Sequence, residues 1–306
     1  MYRKVLIPLD GSPFAERILP HIERLISSAE TELILFHVVE PFHHVVSPET
    51  RAGLTDAEIT NFRESATLYL KRVRGELREM GLQAHVQTAH GDVASAICDT
   101  AQAQGADLIA MTTHGRSGVG RWAFGSVADR VIRTASQPVL LVRGTTDTPS
   151  NGEIRRILVP LDGSELAERA LPHATKLAQE KDAEVLLVRA VEPLTDLEFA
   201  GLFASWESPE AVYQHRQTAA QRYLEQVQQD LKVAGVPSST LVDEGRAADL
   251  ILDTVEAENA DMIVMSTHGR SGLARWVYGS VADKVLRNAT CPLLLIRAIE
   301  MRGDQR

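Results

Sequence analysis

Two groups of residues in this chain have the types and spacing to bind a ligand, and each group occurs twice. The first is a glycine-rich stretch, Thr113-His114-Gly115-Arg116-Ser117-Gly118, followed by Gly125-Ser126. It recurs as Thr267-His268-Gly269-Arg270-Ser271-Gly272, followed by Gly279-Ser280. Gly115 and Gly269 tolerate positive φ and let backbone approach a ligand closely. Gly125-Ser126 and Gly279-Ser280 open helical patterns, and Ser126-x-x-Asp129 and Ser280-x-x-Asp283 have the form of a capping box. A helix N-terminus offers amide donors and the positive end of the helix dipole, which together bind anions. The second group is Pro8-Leu9-Asp10-Gly11-Ser12 and its copy Pro160-Leu161-Asp162-Gly163-Ser164. A carboxylate at a strand end, such as Asp10 or Asp162, accepts ribose hydroxyls or holds a metal ion. Ser12-Pro13 also suits the N-cap and first position of a helix, so the serine has a purely structural reading as well.

These residues need a scaffold that brings them together. In the first half, strands are expected at 4–9, 32–39, 83–89, 107–112 and 138–143, with helices at 13–28, 56–80, 92–104 and 126–135. Val5-Leu6-Ile7, Leu33-Ile34-Leu35-Phe36 and Leu108-Ile109-Ala110-Met111 are continuous apolar runs, as in strands buried on both faces. Helix 56–80 places Ile59, Phe62, Ala66, Tyr69, Leu70, Val73 and Leu77 on one face. Strand–helix alternation implies right-handed crossovers and a parallel sheet covered by helices, and such sheets bind ligands beyond the carboxyl ends of their strands. Both groups fall at those ends. So do His37-Val38-Val39 and Arg189-Ala190-Val191, where extended backbone can pair with the edge of an adenine ring.

The duplication sets the domain plan. Residues 107–143 align with 261–297 without a gap, and 23 of those 37 positions are identical. The offset is 152 at the Asp10 motif and 154 at the glycine-rich motif, so the copies differ by a small insertion. Gly144 to Gly152 is rich in Thr, Pro, Ser, Asn and Gly and reads as a linker. The expected architecture is α/β, two tandem doubly wound domains at 1–145 and 153–300, each a five-stranded parallel sheet with about four helices.

Bulk properties narrow the function. The 306 residues carry a formal charge of −9 and are 44% hydrophobic. An acidic balance argues against nucleic acid or an anionic membrane as partner. It leaves room for one small anion held by backbone N–H groups. The start, Met1-Tyr2-Arg3-Lys4-Val5, runs directly into a strand, and no apolar run reaches spanning length, so cytoplasm is the expected compartment. Cys98 and Cys291 read as reduced thiols. Gly118-Val119-Gly120-Arg121-Trp122-Ala123 is a false dinucleotide fingerprint, because the copy has Ala274 in place of Gly120; no Walker A sequence is present.

The repeated motifs resemble the universal stress protein family in its tandem form. The nucleotide-binding members carry Gly-x2-Gly-x9-Gly-(Ser/Thr) after strand four. Here nine residues separate Gly115 from Gly125 and nine separate Gly269 from Gly279, with Ser126 and Ser280 in place. The resemblance implies an ATP site, with Mg2+ as an accompanying ion. In the first copy it falls on Pro8, Asp10, Val38, Thr112, His114, Gly115, Arg116, Gly118, Gly125 and Ser126. In the second it falls on Pro160, Asp162, Ala190, Ser266, His268, Gly269, Arg270, Gly272, Gly279 and Ser280. It assigns phosphate contacts to the glycines and serines, places the aspartates near adenine and ribose, and gives Val38 and Ala190 backbone contacts to adenine. The first glycine of the pattern is replaced by Thr112 and Ser266. The β-branched Thr112 would narrow its pocket more; against that, Ala190 replaces the branched Val38. The resemblance also implies pairing through the last strands, Val139–Arg143 with Leu293–Arg297, giving an internal pseudo-dimer and scope for a homodimer.

No catalytic set stands out, since no positioned acid accompanies His114 or His268. Arg116 and Arg270 either touch phosphate or sit in solvent. Trp122 and Trp276 read as packing residues. His37, His43 and His44 invite a metal reading, but the second copy has Arg189 at the first of these places. Segments 41–55 and 193–208 differ most between copies; the second, with Leu197, Phe199, Leu202, Phe203 and Trp206, reads as packing, a lid or a surface for a protein partner. Three functions remain open: a nucleotide-binding regulatory module, a slow ATP hydrolase or phosphotransfer enzyme, and a nucleotide-free interaction protein.

Overall fold

The computed structural model describes residues 2–26, 31–39, 56–113, 125–143, 152–195, 208–267 and 279–297. The chain divides into two compact units, Met1–Gly152 and Glu153–Arg306. In the first, strands β1 (Lys4–Pro8), β2 (Glu32–Val39), β3 (Gln83–His90), β4 (Leu108–Thr112) and β5 (Val139–Val142) pair in parallel in the order β3-β2-β1-β4-β5. In the second, β6 (Arg156–Pro160), β7 (Glu184–Val191), β8 (Ser238–Glu244), β9 (Met262–Ser266) and β10 (Leu293–Ile296) repeat it as β8-β7-β6-β9-β10.

The first-unit helices are α1 (Pro13–Glu16), α2 (Ile18–Leu25), α3 (Asp56–Glu79), α4 (Val93–Ala103) and α5 (Ser126–Thr134). Their counterparts are α6 (Glu165–Glu168), α7 (Leu171–Lys181), α8 (Pro209–Val233), α9 (Ala247–Ala257) and α10 (Ser280–Asn288). From β1 the chain winds outward through β2 and β3, then returns to β4 and β5 on the other side. With right-handed crossovers, α1–α3 cover one face and α4 and α5 the other, where α4 packs on α5. The winding reverses between β1 and β4 in one unit and between β6 and β9 in the other. A doubly wound sheet opens its ligand crevice at that point.

The expected single helix over 13–28 is broken at Arg17. Pro20 explains the break: it has no N–H to give the Glu16 carbonyl, and its ring clashes with that carbonyl. Pro172 stands in the same relation to Glu168, and α6 ends there. The apolar strands are buried as their composition predicts: Val5, Leu6, Ile7, Leu33, Leu35, Phe36, Leu108 and Ile109 are wholly enclosed. Along α3, Ala66, Leu70, Val73 and Leu77 face the core, but Phe62 is exposed. A helix of 24 residues is roughly 36 Å long and a strand of 8 residues roughly 26 Å, so the first turns of α3 outrun the sheet. Asp107 accepts the backbone N–H groups of Arg3 (2.8 Å) and Lys4 (3.1 Å), tying the start of β1 to that of β4. Asp261 does the same for Arg155 and Arg156. Cys98 is buried, neither it nor Cys291 is in a disulfide, and burial pushes the Cys291 thiol up to about 12. No described helix is long and apolar enough to cross a membrane.

Candidate functional site

Each crevice is built from the ends of three strands. At the end of β1, Asp10 Oδ1 accepts the Ser12 N–H at 2.9 Å, and Gly11 takes φ +84 to make the turn. Ser12 Oγ then accepts the Ala15 N–H at 3.1 Å, capping α1. So the serine plays the structural part and orients the aspartate. The second unit repeats this with Asp162, Gly163 (φ +83) and Ser164, whose hydroxyl also donates to Asp162 Oδ1 at 2.6 Å. Pro8 and Pro160 close the two strands and are half-buried.

At the end of β2, hydrogen-bond parity decides what faces the crevice. Peptide groups alternate sides along a strand. The Phe36 carbonyl accepts from Leu9 N–H at 2.8 Å, so it points toward β1, while the Val39 carbonyl accepts from Gly91 N–H on the β3 side. The backbone of Val38 therefore points to the β1 side, past the point where β1 ends. Ala190 has the same parity: Val188 accepts from Leu161 N–H, and Val191 from Gly245 N–H. Both are half-buried.

At the end of β4, Thr113 N–H donates to Val142, and the Thr113 carbonyl accepts from Gly125 N–H at 2.9 Å. That bond brings the mouth of α5 to the sheet. The Gly279 N–H to Thr267 carbonyl bond, 3.2 Å, does so for α10. The structure corrects the capping-box reading. Gly125 and Gly279 are the N-caps, Ser126 and Ser280 are the first helical residues, and neither cap makes a side-chain hydrogen bond. Asp129 and Asp283 instead hold Arg133 and Arg287, one turn on. A glycine cap places no side chain between the first-turn amides and a ligand. Ser126 and Ser280 are exposed at these mouths. Thr112 and Ser266 are each 6% exposed.

A strap fixes α5. Arg130 reaches both oxygens of Asp92 on α4, at 2.6 and 2.9 Å, and this, with the Ser95 bonds, holds the carboxyl down at about 2. In the second unit the Asp92 place is Arg246, and the strap moves one turn along: Lys284 of α10 bonds Asp249 of α9.

Beside the crevice lies a cluster that sequence reasoning missed. Tyr223 of α8 donates to Glu168 at 2.8 Å, and the Arg189 guanidinium sits 4.8 Å above its ring. In the first unit Tyr69, Glu16 and His37 stand at these places. Glu16 is held by Arg72 at 2.6 Å, and the Tyr69 hydroxyl faces it without closing a well-formed hydrogen bond. Burial first, then the Glu16 charge, raises the Tyr69 phenol. His37 Nδ1 lies 2.7 Å from the Leu9 carbonyl, which only accepts, so Nδ1 carries the proton. The signal for this cluster was available: Tyr69 and Tyr223 are 154 residues apart, Glu16 and Glu168 are 152 apart, and both copies keep both residues. His114, Gly115, Arg116 and Gly118 lie outside the described residues, as do His268, Gly269, Arg270 and Gly272, the loop histidines His43 and His44, both tryptophans of the loops and segment 196–207.

The family model described as the universal stress protein family matches residues 1–143 and 153–297, nearly the whole chain. The chain belongs to the universal stress protein family. A universal stress protein of Methanocaldococcus jannaschii is 36% identical over 151 residues, covering 48% of this chain and 85% of that one. One from Mycolicibacterium smegmatis is 25% identical over 299 residues, 96% of each chain, which matches the tandem form. Among solved structures, a universal stress protein from Archaeoglobus fulgidus superposes with a TM-score of 0.73 at 21% identity, over 97% of this chain and 99% of that one. A further one from Pseudomonas aeruginosa gives 0.65 at 20% identity, over 97% and 93%. These likenesses establish the fold of both halves.

Proposed function

We propose that this universal stress protein binds adenine nucleotide, ATP, at the carboxyl ends of its strands and acts as a regulatory binding module in the cytoplasm. The observation that carries this reading is the glycine-capped mouth of α5, tied by the Gly125–Thr113 bond to the end of β4, across the switch point from Asp10. An anionic tail on the first-turn amides meets the helix dipole. A ribose near Asp10 finds a carboxylate already oriented by Ser12, and the Val38 peptide offers a donor and an acceptor to a base edge. Asp162, Ala190, Gly279 and Ser280 repeat the set. The residues present thus fit the nucleotide, and Mg2+ would enter with its phosphates.

The test is mass spectrometry of the denatured purified protein, with thermal unfolding in added ATP. A ligand present at 100 times its Kd stabilises by about 2.7 kcal/mol, which for units of this size raises Tm by roughly 5–10 °C. Co-purified adenine nucleotide or a shift of that size is expected. Neither being found would leave the nucleotide-free interaction protein.

A further inference from the structure

The two crevices differ at one place where the sequence motifs do not. Position 37 in the first unit is histidine; the equivalent position in the second is Arg189. His37 turns back on its own sheet, bonded to the Leu9 carbonyl. Arg189 instead reaches the turn at the end of β6. Its guanidinium nitrogens lie 3.1 and 3.2 Å from where a Cβ on Gly163 would be, and its guanidinium carbon sits 4.8 Å from the centroid of the Tyr223 ring. Tyr223 is in turn anchored by Glu168. The cation is therefore packed between the turn that carries Asp162 and a fixed aromatic ring. Asp162 is also more engaged than a bare carboxylate, because one oxygen accepts both the N–H and the hydroxyl of Ser164.

We propose that Arg189 makes the second crevice the weaker nucleotide site, by covering the Gly163 turn that a ribose must approach to reach Asp162. This rests on the ATP-binding reading above and adds an order of filling to it: the first unit binds at low ATP, the second only at higher ATP. A ligand entering the second crevice must displace a guanidinium held by stacking, which corresponds to a loss of roughly tenfold in affinity.

Calorimetric titration of the full chain with ATP tests this, using wild type, Arg189→His and the reciprocal His37→Arg. Wild type is expected to show one tight site and one about tenfold weaker. Arg189→His should give two matched sites, and His37→Arg should leave no tight site. Arg189→Ala, expected to act in the same direction as Arg189→His, covers the case in which histidine perturbs the fold; unfolding without nucleotide checks each variant. Two indistinguishable wild-type sites, or Arg189 variants that titrate like wild type, would overturn the inference while the ATP reading stands. No binding by any of these proteins would overturn both.

Discussion

Tyr69 and Tyr223 occupy equivalent places on the long helices, yet only Tyr223 closes a well-formed bond to a carboxylate. Removing a net-favourable hydrogen bond costs about 1 kcal/mol, whereas removing a poorly satisfied buried hydroxyl is close to neutral. Tyr223→Phe should therefore lower stability by about 1 kcal/mol and Tyr69→Phe by much less, read from paired denaturant unfolding curves. His21 offers a pH-dependent counterpart. It is 4% exposed on α2, and burial, assisted by the Arg24 charge, pulls it down to about 4. The folded protein thus keeps it neutral where the unfolded chain, near 6.5, binds a proton. Its contribution is intact above pH 6.5 and is lost as pH falls from 6.5 to 4, by about 3 kcal/mol at most. His21→Leu should flatten that part of the stability profile; a profile as steep as wild type would show that the acid loss arises elsewhere. His173, shifted in the same direction by its own burial, adds to the slope in the second unit.

At the scale of elements, the proposed phosphate contacts depend on α5 and α10 having N-caps without a side chain. Gly279 has φ −58 and ψ 149, ordinary for an N-cap, and a Cβ there would meet only the Thr267 carbonyl at 3.9 Å. Backbone strain is thus not what glycine serves at this place. Gly279→Asp should fold as well as wild type, or better by a few tenths of a kcal/mol, because its carboxylate caps the helix. The same carboxylate would take the amides that a phosphate needs and repel it. ATP-induced stabilisation of the second unit should disappear, and Gly125→Asp should do the same in the first. Loss of nucleotide response with intact unfolding separates a ligand role for these mouths from a role in folding. The bonds beside these mouths, Asp92–Arg130 and Asp249–Lys284, use the same basic position in each unit with acids one turn apart, and each ties its helix to the preceding one.

At the scale of the whole molecule, the duplication was legible because its markers are local. Asp10-Gly11-Ser12 and Gly125-Ser126 are contiguous, recur at fixed offsets, and fall where apolar runs end. Strand–helix alternation was enough to read a parallel sheet covered by helices, whereas the strand order rests on the pairings in the structure. Three things were harder to read. Pro20 was in plain view, but the apolar spacing of Ala15, Ile18, Ile22 and Leu25 continues across the break it makes. The N-cap lay one residue earlier than the capping-box pattern placed it: the cap is Gly125, whose N–H, the one a capping box would use, goes to the Thr113 carbonyl. The Tyr223–Glu168–Arg189 cluster joins residues from three elements, and helical periodicity alone reads tyrosine as core. Gly91 and Gly245 were passed over as well; at φ +120 and +145 they turn the chain off the edge strands β3 and β8.

Hydrogen exchange followed peptide by peptide, with and without ATP, addresses the central claim most directly. Slower exchange is expected in the first turn of α5 and in peptides covering 36–39 at low ATP, followed at higher ATP by the first turn of α10 and 188–191. Bound nucleotide that leaves those amides exchanging as before, with protection gained elsewhere, would contradict it.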